Sequence, residues 1–135
     1  MRYALDTNTI IRFLRDDPFV RQKFDAAVAR GDEIIIPPLV HYEIRRGFLC
    51  KSVPKRENSY YILTERCPVG EVSAKSLELG ARIYADLYKA KRTVADMDLL
   101  IAAFCIAGGC TLVTGNVRHF EVINGLMFED WAAGS

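Results

Sequence analysis

The sequence predicts an α/β fold, a three-layer α/β/α sandwich around a central, mainly parallel sheet. Three observations carry this. Short, largely apolar runs at 3–5, 33–36 and 110–114 read as buried strands. Longer stretches with helical spacing of apolar residues lie between them. Strands alternating with helices imply βαβ crossovers, which set strands parallel and cover both faces of the sheet.

Each element follows from local signals. Tyr3, Ala4 and Leu5 form a first strand that runs into Asp6. Asp6, Thr7, Asn8 and Thr9 are capping types, and Ile10, Ile11, Phe13 and Leu14 follow at helical spacing. Asp17-Pro18 is an N-cap followed by proline at the first helical position, and Gly31 sits where a helix stops. The strand at 33–36 halts at Pro37-Pro38, and Pro38 starts a helix over 39–50 that carries Glu43. Pro54 starts another helix through Tyr60 and Leu63. Cys67-Pro68-Val69 is at most a peripheral strand, because proline weakens a central one. Ser73 caps a long helix with Leu77, Ala81, Tyr84 and Tyr88 on one face, a spacing that reads as core or interface. A helix opening near Asp96 ends at Gly108-Gly109, the strand at 110–114 follows, and a last strand is expected at 125–128 before Trp131.

The chain has 135 residues, half of them hydrophobic, with 18 Lys and Arg against 17 Asp and Glu. This suits one domain spanning 1–135 and excludes a disordered chain. The longest apolar run, 99–110, has 12 residues and is too short for a membrane span. No secretory signal opens the chain and the four cysteines form no C-x-x-C pair, so a cytoplasmic protein with reduced, mostly buried thiols is expected. The formal net charge of +1 by itself speaks against a strongly basic nucleic-acid binder.

In open parallel sheets, ligands bind beyond the carboxyl ends of the strands. Asp6 ends the first strand, Glu43 lies in the helix after the second, and Asp96 and Asp98 open the helix before the 110–114 strand. Asn116 follows Thr114 at the end of that strand. Acids gathered at one rim repel one another unless a cation neutralises them, and all-oxygen donors favour Mg²⁺ or Mn²⁺. Such a metal activates water and stabilises charge on a phosphoryl group, which points to phosphodiester hydrolysis. Singly, each residue has a plainer reading. Asp6 and Asp96 serve as helix caps, Glu43 as part of a solvated face, and Asn116 as a turn residue. No nucleophile elbow or phosphate-binding glycine loop is present, and the two histidines, His41 and His119, belong to no nucleophile arrangement.

Taken together, these segments resemble the PIN-domain ribonucleases. Leu5-Asp6-Thr7-Asn8 is similar to that family's opening motif, and 40–47, with Glu43, to its second. Asp98-Leu99-Leu100-Ile101-Ala102-Ala103 resembles the third, and Leu112-Val113-Thr114-Gly115-Asn116 with Phe120 the fourth. The ending, with Gly125-Leu126 and Glu129-Asp130-Trp131, is similar to the VapC-type toxins of type II toxin-antitoxin systems. The resemblance implies a Mg²⁺- or Mn²⁺-dependent endoribonuclease that cuts tRNA or rRNA and is held inactive by a cognate antitoxin protein. It implies metal-binding, catalytic roles for Asp6, Glu43 and Asp98. Thr7, Asn8 and Thr114 would support those carboxylates. Asn116 stands where many members have Asp, and Asp96 is a second source of charge. The early helices would receive the antitoxin, with Phe13, Phe19, Phe48 and Leu49 as candidates whose plainer reading is core. A homodimer and no membrane partner are expected. A housekeeping RNA-processing nuclease and a catalytically silent binding module are the alternative readings; a phosphoryl-transfer domain using Asp6 as nucleophile leaves Glu43 without a role.

Charge is segregated along the chain. From Arg45 to Arg66 six basic residues face two acids, and from Arg82 to Arg92 four face one. From Val94 onward one basic residue stands against five acids. A basic rim beside an acidic pocket suits a polyanionic backbone, so the near-neutral total conceals a pattern compatible with RNA.

Overall fold

The computed structural model describes residues 1–133. Four strands, β1 (Arg2–Leu5), β2 (Glu33–Ile35), β3 (Thr111–Val113) and β4 (Phe128–Glu129), form one sheet in the order β2-β1-β3-β4. All three pairings are parallel, with Tyr3 opposite both Ile34 and Thr111. The helices in chain order are α1 (Thr7–Leu14), α2 (Pro18–Ala29), α3 (Pro38–Cys50), α4 (Pro54–Arg66), α5 (Ala74–Lys89), α6 (Asp96–Gly108) and α7 (Val117–Phe120). The expected α/β architecture is the observed one. Ala4, Leu5, Leu112 and Val113 on the two central strands are fully buried, as a sheet covered on both faces requires.

The caps work as the sequence indicates. The Asp6 side chain accepts from the Thr7 N–H at the start of α1, and Asp17 accepts from Phe19 and Val20 at the start of α2. Gly31 (φ +79°) and Gly109 (φ +66°) take the left-handed conformation past the ends of α2 and α6. The Cys67-Pro68-Val69 segment makes one parallel bridge, Val69 with Ile36, and no longer strand. Cys67, Cys105 and Cys110 are buried free thiols and Cys50 is exposed. Burial raises the Cys67 thiol to about 11, so it stays protonated.

The structure decides two open readings and corrects the bounds of the last strand. The inward face of α5 is Ser76, Gly80 and Leu87; Leu77, Tyr84 and Tyr88 are exposed. The reason is close packing against α6. A Cβ on Gly80 would lie 3.1 Å from Leu100 Cδ2 and 3.5 Å from Leu99 Cδ2, so the small residues face the neighbour. The last strand comes later than 125–128, because Gly125 turns the chain at φ +87° before β4 begins at Phe128. Phe13 belongs to the core, its ring tilted at 52° against that of Phe24 and covered by the Arg21 guanidinium 3.7 Å from its centroid, and Phe48 is half-buried; Phe19 and Leu49 are exposed.

Candidate active site at the carboxyl edge of the sheet

Asp6 leaves β1 next to the end of β3. Its backbone N–H donates to Val113 O at 2.9 Å, which extends the ladder by one residue. Thr114 is the next residue of the neighbouring chain segment and is fully buried. Its hydroxyl donates to Asp6 Oδ2 at 2.6 Å and accepts from the Asn116 N–H at 3.0 Å. The other Asp6 oxygen accepts from the Thr7 N–H at 2.8 Å. This carboxylate is 4 % exposed, and no cationic side chain pairs with it among the described residues. Burial pushes its pKa above the usual carboxylate value, and the nearby charges of Asp98 and Glu43 push the same way; the Thr114 and Thr7 hydrogen bonds oppose them.

Thr7 joins two acids. While its N–H serves Asp6, its hydroxyl donates to Glu43 Oε1 at 2.9 Å. Glu43 Oε2 lies 3.8 Å from Arg46 on the same helix. Asp98, in the first turn of α6, contacts the Nδ1 of His119 from α7 through Oδ2 at 3.1 Å. The topology therefore gathers Asp6, Thr7, Glu43, Asp98, Thr114 and Asn116 from four segments of chain.

Two of the candidate residues stand outside this core. Asp96 is exposed at the first position of α6, which Ala95 caps without a side-chain bond, and Asp96 makes no hydrogen bond or ion pair among the described residues. It is therefore neither the cap nor a visible member of the cluster. Asn8 is exposed and lines a polar cleft of about 550 Å³ with Gly115, Asn116, Arg12 and Arg15. That cleft adjoins a more apolar one of about 260 Å³, whose walls include Thr7, Glu43, Ile11, Phe48, Lys51 and Arg56. Ile11 and Arg15 border both. Of the basic stretch at 45–66, Arg45 is spent on Glu57 at 3.1 Å and Arg46 on Glu43, whereas Arg15, Lys51 and Arg56 make no ion pair among the described residues.

Among the described residues, no three His, Cys, Asp or Glu side chains stand close enough to form a ready-made metal cage. Glu43 is instead engaged by Thr7 and lies near Arg46, and Asp98 is engaged by His119. The donor set nevertheless fits a hard divalent cation. It is all-oxygen, and the buried Asp6 carries charge that no basic side chain neutralises. Mg²⁺ commonly uses only one or two carboxylates and keeps several waters, so a loose acid cluster suffices.

Sequence reading missed His119. One histidine in Asn-Val-Arg-His-Phe gives no periodic signal, and its contact with Asp98 spans 21 positions. The only available hint was its place just after Asn116.

A parallel sheet in this order with acids at its carboxyl edge makes the chain an open α/β domain whose ligand site lies beyond the strand ends. The sequence profile described as PIN domain matches residues 3–126. The chain is 30 % identical to "Ribonuclease VapC2" of Rickettsia felis, covering 97 % of this chain and 98 % of that protein. It is 28 % identical to "tRNA(fMet)-specific endonuclease VapC" of Shigella flexneri, over 98 % and 99 % of the two chains. A solved structure of the Rickettsia felis VapBC2 complex, bound to a DNA fragment from its promoter, superposes with a TM-score of 0.88 at 27 % identity, covering 97 % and 99 %. The chain belongs to the PIN domain family, in its VapC ribonuclease branch.

Proposed function

We propose that this protein is a divalent-metal-dependent endoribonuclease, residues 1–135 acting as one nuclease domain, and the toxin of a toxin-antitoxin pair. The observation that carries the catalytic reading is the buried, cation-free Asp6 carboxylate beside Glu43 and Asp98. Asp6, Glu43 and Asp98 hold the metal, Mg²⁺ or Mn²⁺, and act as the catalytic residues. When bound, the ion lowers the pKa of water and stabilises charge on the scissile phosphate. Thr7 and Thr114 keep Asp6 and Glu43 oriented through the bonds described. Asn116 and Asn8 supply neutral polar groups along the substrate cleft, and Arg15, Lys51 and Arg56 attract the phosphate backbone of RNA.

The substrate is cellular RNA, with tRNA favoured by the name of the Shigella relative. The inhibitory partner is a cognate antitoxin, as the toxin-antitoxin complexes among the structural relatives suggest. The exposed apolar stripe of Leu77, Tyr84 and Tyr88 on α5 is suited to pairing with a second copy of this chain. No helix among the described residues is long and apolar enough to cross a membrane, and the cytoplasm, where tRNA is found, is the proposed site of action.

Purified protein is expected to cut structured RNA only with Mg²⁺ or Mn²⁺. Asp6→Asn and Asp98→Asn should each abolish cutting while circular dichroism stays unchanged. Full cleavage by both variants would sink the assignment. Expressed without a partner, wild type should arrest growth and Asp6→Asn should not; equal growth argues against the toxin role.

A further inference from the structure

Each acid of the cluster has its own hydrogen-bond donor. Asp6 has Thr114 and the Thr7 N–H, and Glu43 has the Thr7 hydroxyl. For Asp98 that donor is His119, and no other side chain bonds to it among the described residues. We infer that His119 is the positioning residue for Asp98, holding Oδ2 through Nδ1 so that the carboxylate is presented to the cation in one orientation.

An ionised carboxylate only accepts hydrogen bonds, so the imidazole proton at this contact resides on Nδ1. The ring is held firmly enough to act this way. The next residue, Phe120, is fully buried and fixes α7 against the core, while the His119 N–H bonds to Asn116 O at 3.0 Å within the first turn of the same short helix. Asp98 Oδ1 accepts no hydrogen bond among the described residues, which leaves it available as a ligand atom. The ring itself is 59 % exposed. A pair this open adds little to stability, so a purely structural contact predicts almost no effect of its loss. Partners that orient a ligand from outside typically change metal affinity by about 10–100-fold when removed.

The inference rests on the metal-dependent reading, and the test separates the two. Mn²⁺ binding is measured by titration calorimetry, without RNA, on wild type, His119→Ala, His119→Asn and Asp98→Asn. Asparagine places an amide N–H near the position of Nδ1. His119→Ala should bind Mn²⁺ at least about 10-fold more weakly than wild type, and His119→Asn should recover most of the loss. The metal-free melting temperature of both should match wild type. In metal-free protein the Asp98 carboxyl carbon resonance should move in His119→Ala and return towards its original place in His119→Asn. Unchanged Mn²⁺ affinity in His119→Ala, or equal losses in the Ala and Asn variants, overturns the role of His119. Mn²⁺ binding by Asp98→Asn at wild-type affinity instead overturns the metal site and leaves the resonance shift to decide the contact.

Discussion

The Thr114 hydroxyl offers a sharp test of how the site is held together. Thr114→Val keeps the shape of the side chain and opens no cavity. It removes the 2.6 Å bond to Asp6 Oδ2 and the acceptor of the Asn116 N–H at 3.0 Å. A hydrogen bond to a charged group contributes about 1.5–3 kcal/mol, and an orphaned buried donor costs about 1–3 kcal/mol. The two losses share one atom and do not simply add, so a total of about 2–4 kcal/mol is expected. For a chain of this length, with roughly 3–4 °C per kcal/mol, the melting temperature should fall by about 6–16 °C. Metal-free protein melted at neutral pH, followed by circular dichroism, measures this. The Thr114 bond also opposes the upward push on the Asp6 pKa, so the variant's Asp6 titrates at still higher pH. The deficit is therefore full above the variant's Asp6 pKa and shrinks as pH falls through it. A melting temperature within about 1 °C of wild type would refute the claim that this hydroxyl supports the buried carboxylate.

Other expectations follow from the same geometry. Because the folded pKa of Asp6 lies above its unfolded value, the native state holds that proton more tightly, and its contribution to stability declines as pH rises through the raised value. Metal-free Asp6→Asn should lose that decline, and parallel melting-temperature profiles for variant and wild type from the ordinary carboxylate range upward would contradict the shift. Gly70→Ala should destabilise by about 1–3 kcal/mol, since its Cβ would sit 2.5 Å from Phe104 Cζ. Adding Phe104→Leu should recover part of that loss in denaturant titrations, and no recovery would place the strain elsewhere. Lys51→Glu with Arg56→Glu should weaken RNA binding with no change in melting temperature. Its log–log salt dependence should lose about 0.7 per phosphate contact removed, and an unchanged slope would exclude these cations from the RNA path.

Much of the fold is legible because its signals are local. Asp6 caps α1 through the adjacent N–H, Asp17-Pro18 starts α2, and Gly109 ends α6 in the left-handed region, each within a turn of chain. The order of strands and helices, and with it the parallel sheet, follows from the same short-range patterning. The candidate acids Asp6, Glu43 and Asp98 were legible as residues that follow strands or open helices, although their separation was not. Only the tertiary structure decided which face of α5 turns inward. Helical periodicity fixes that faces exist, but the close approach of α6 selects the one with Ser76 and Gly80. It likewise decided that Thr114 serves Asp6 across 108 positions and that His119 meets Asp98 across 21. It also decided that Arg45 of α3 pairs with Glu57 of α4, while Lys51 and Arg56 make no ion pair among the described residues. Local preference acts over a few residues along the chain, whereas a partner for a carboxylate is chosen by packing among segments that only the folded sheet brings together.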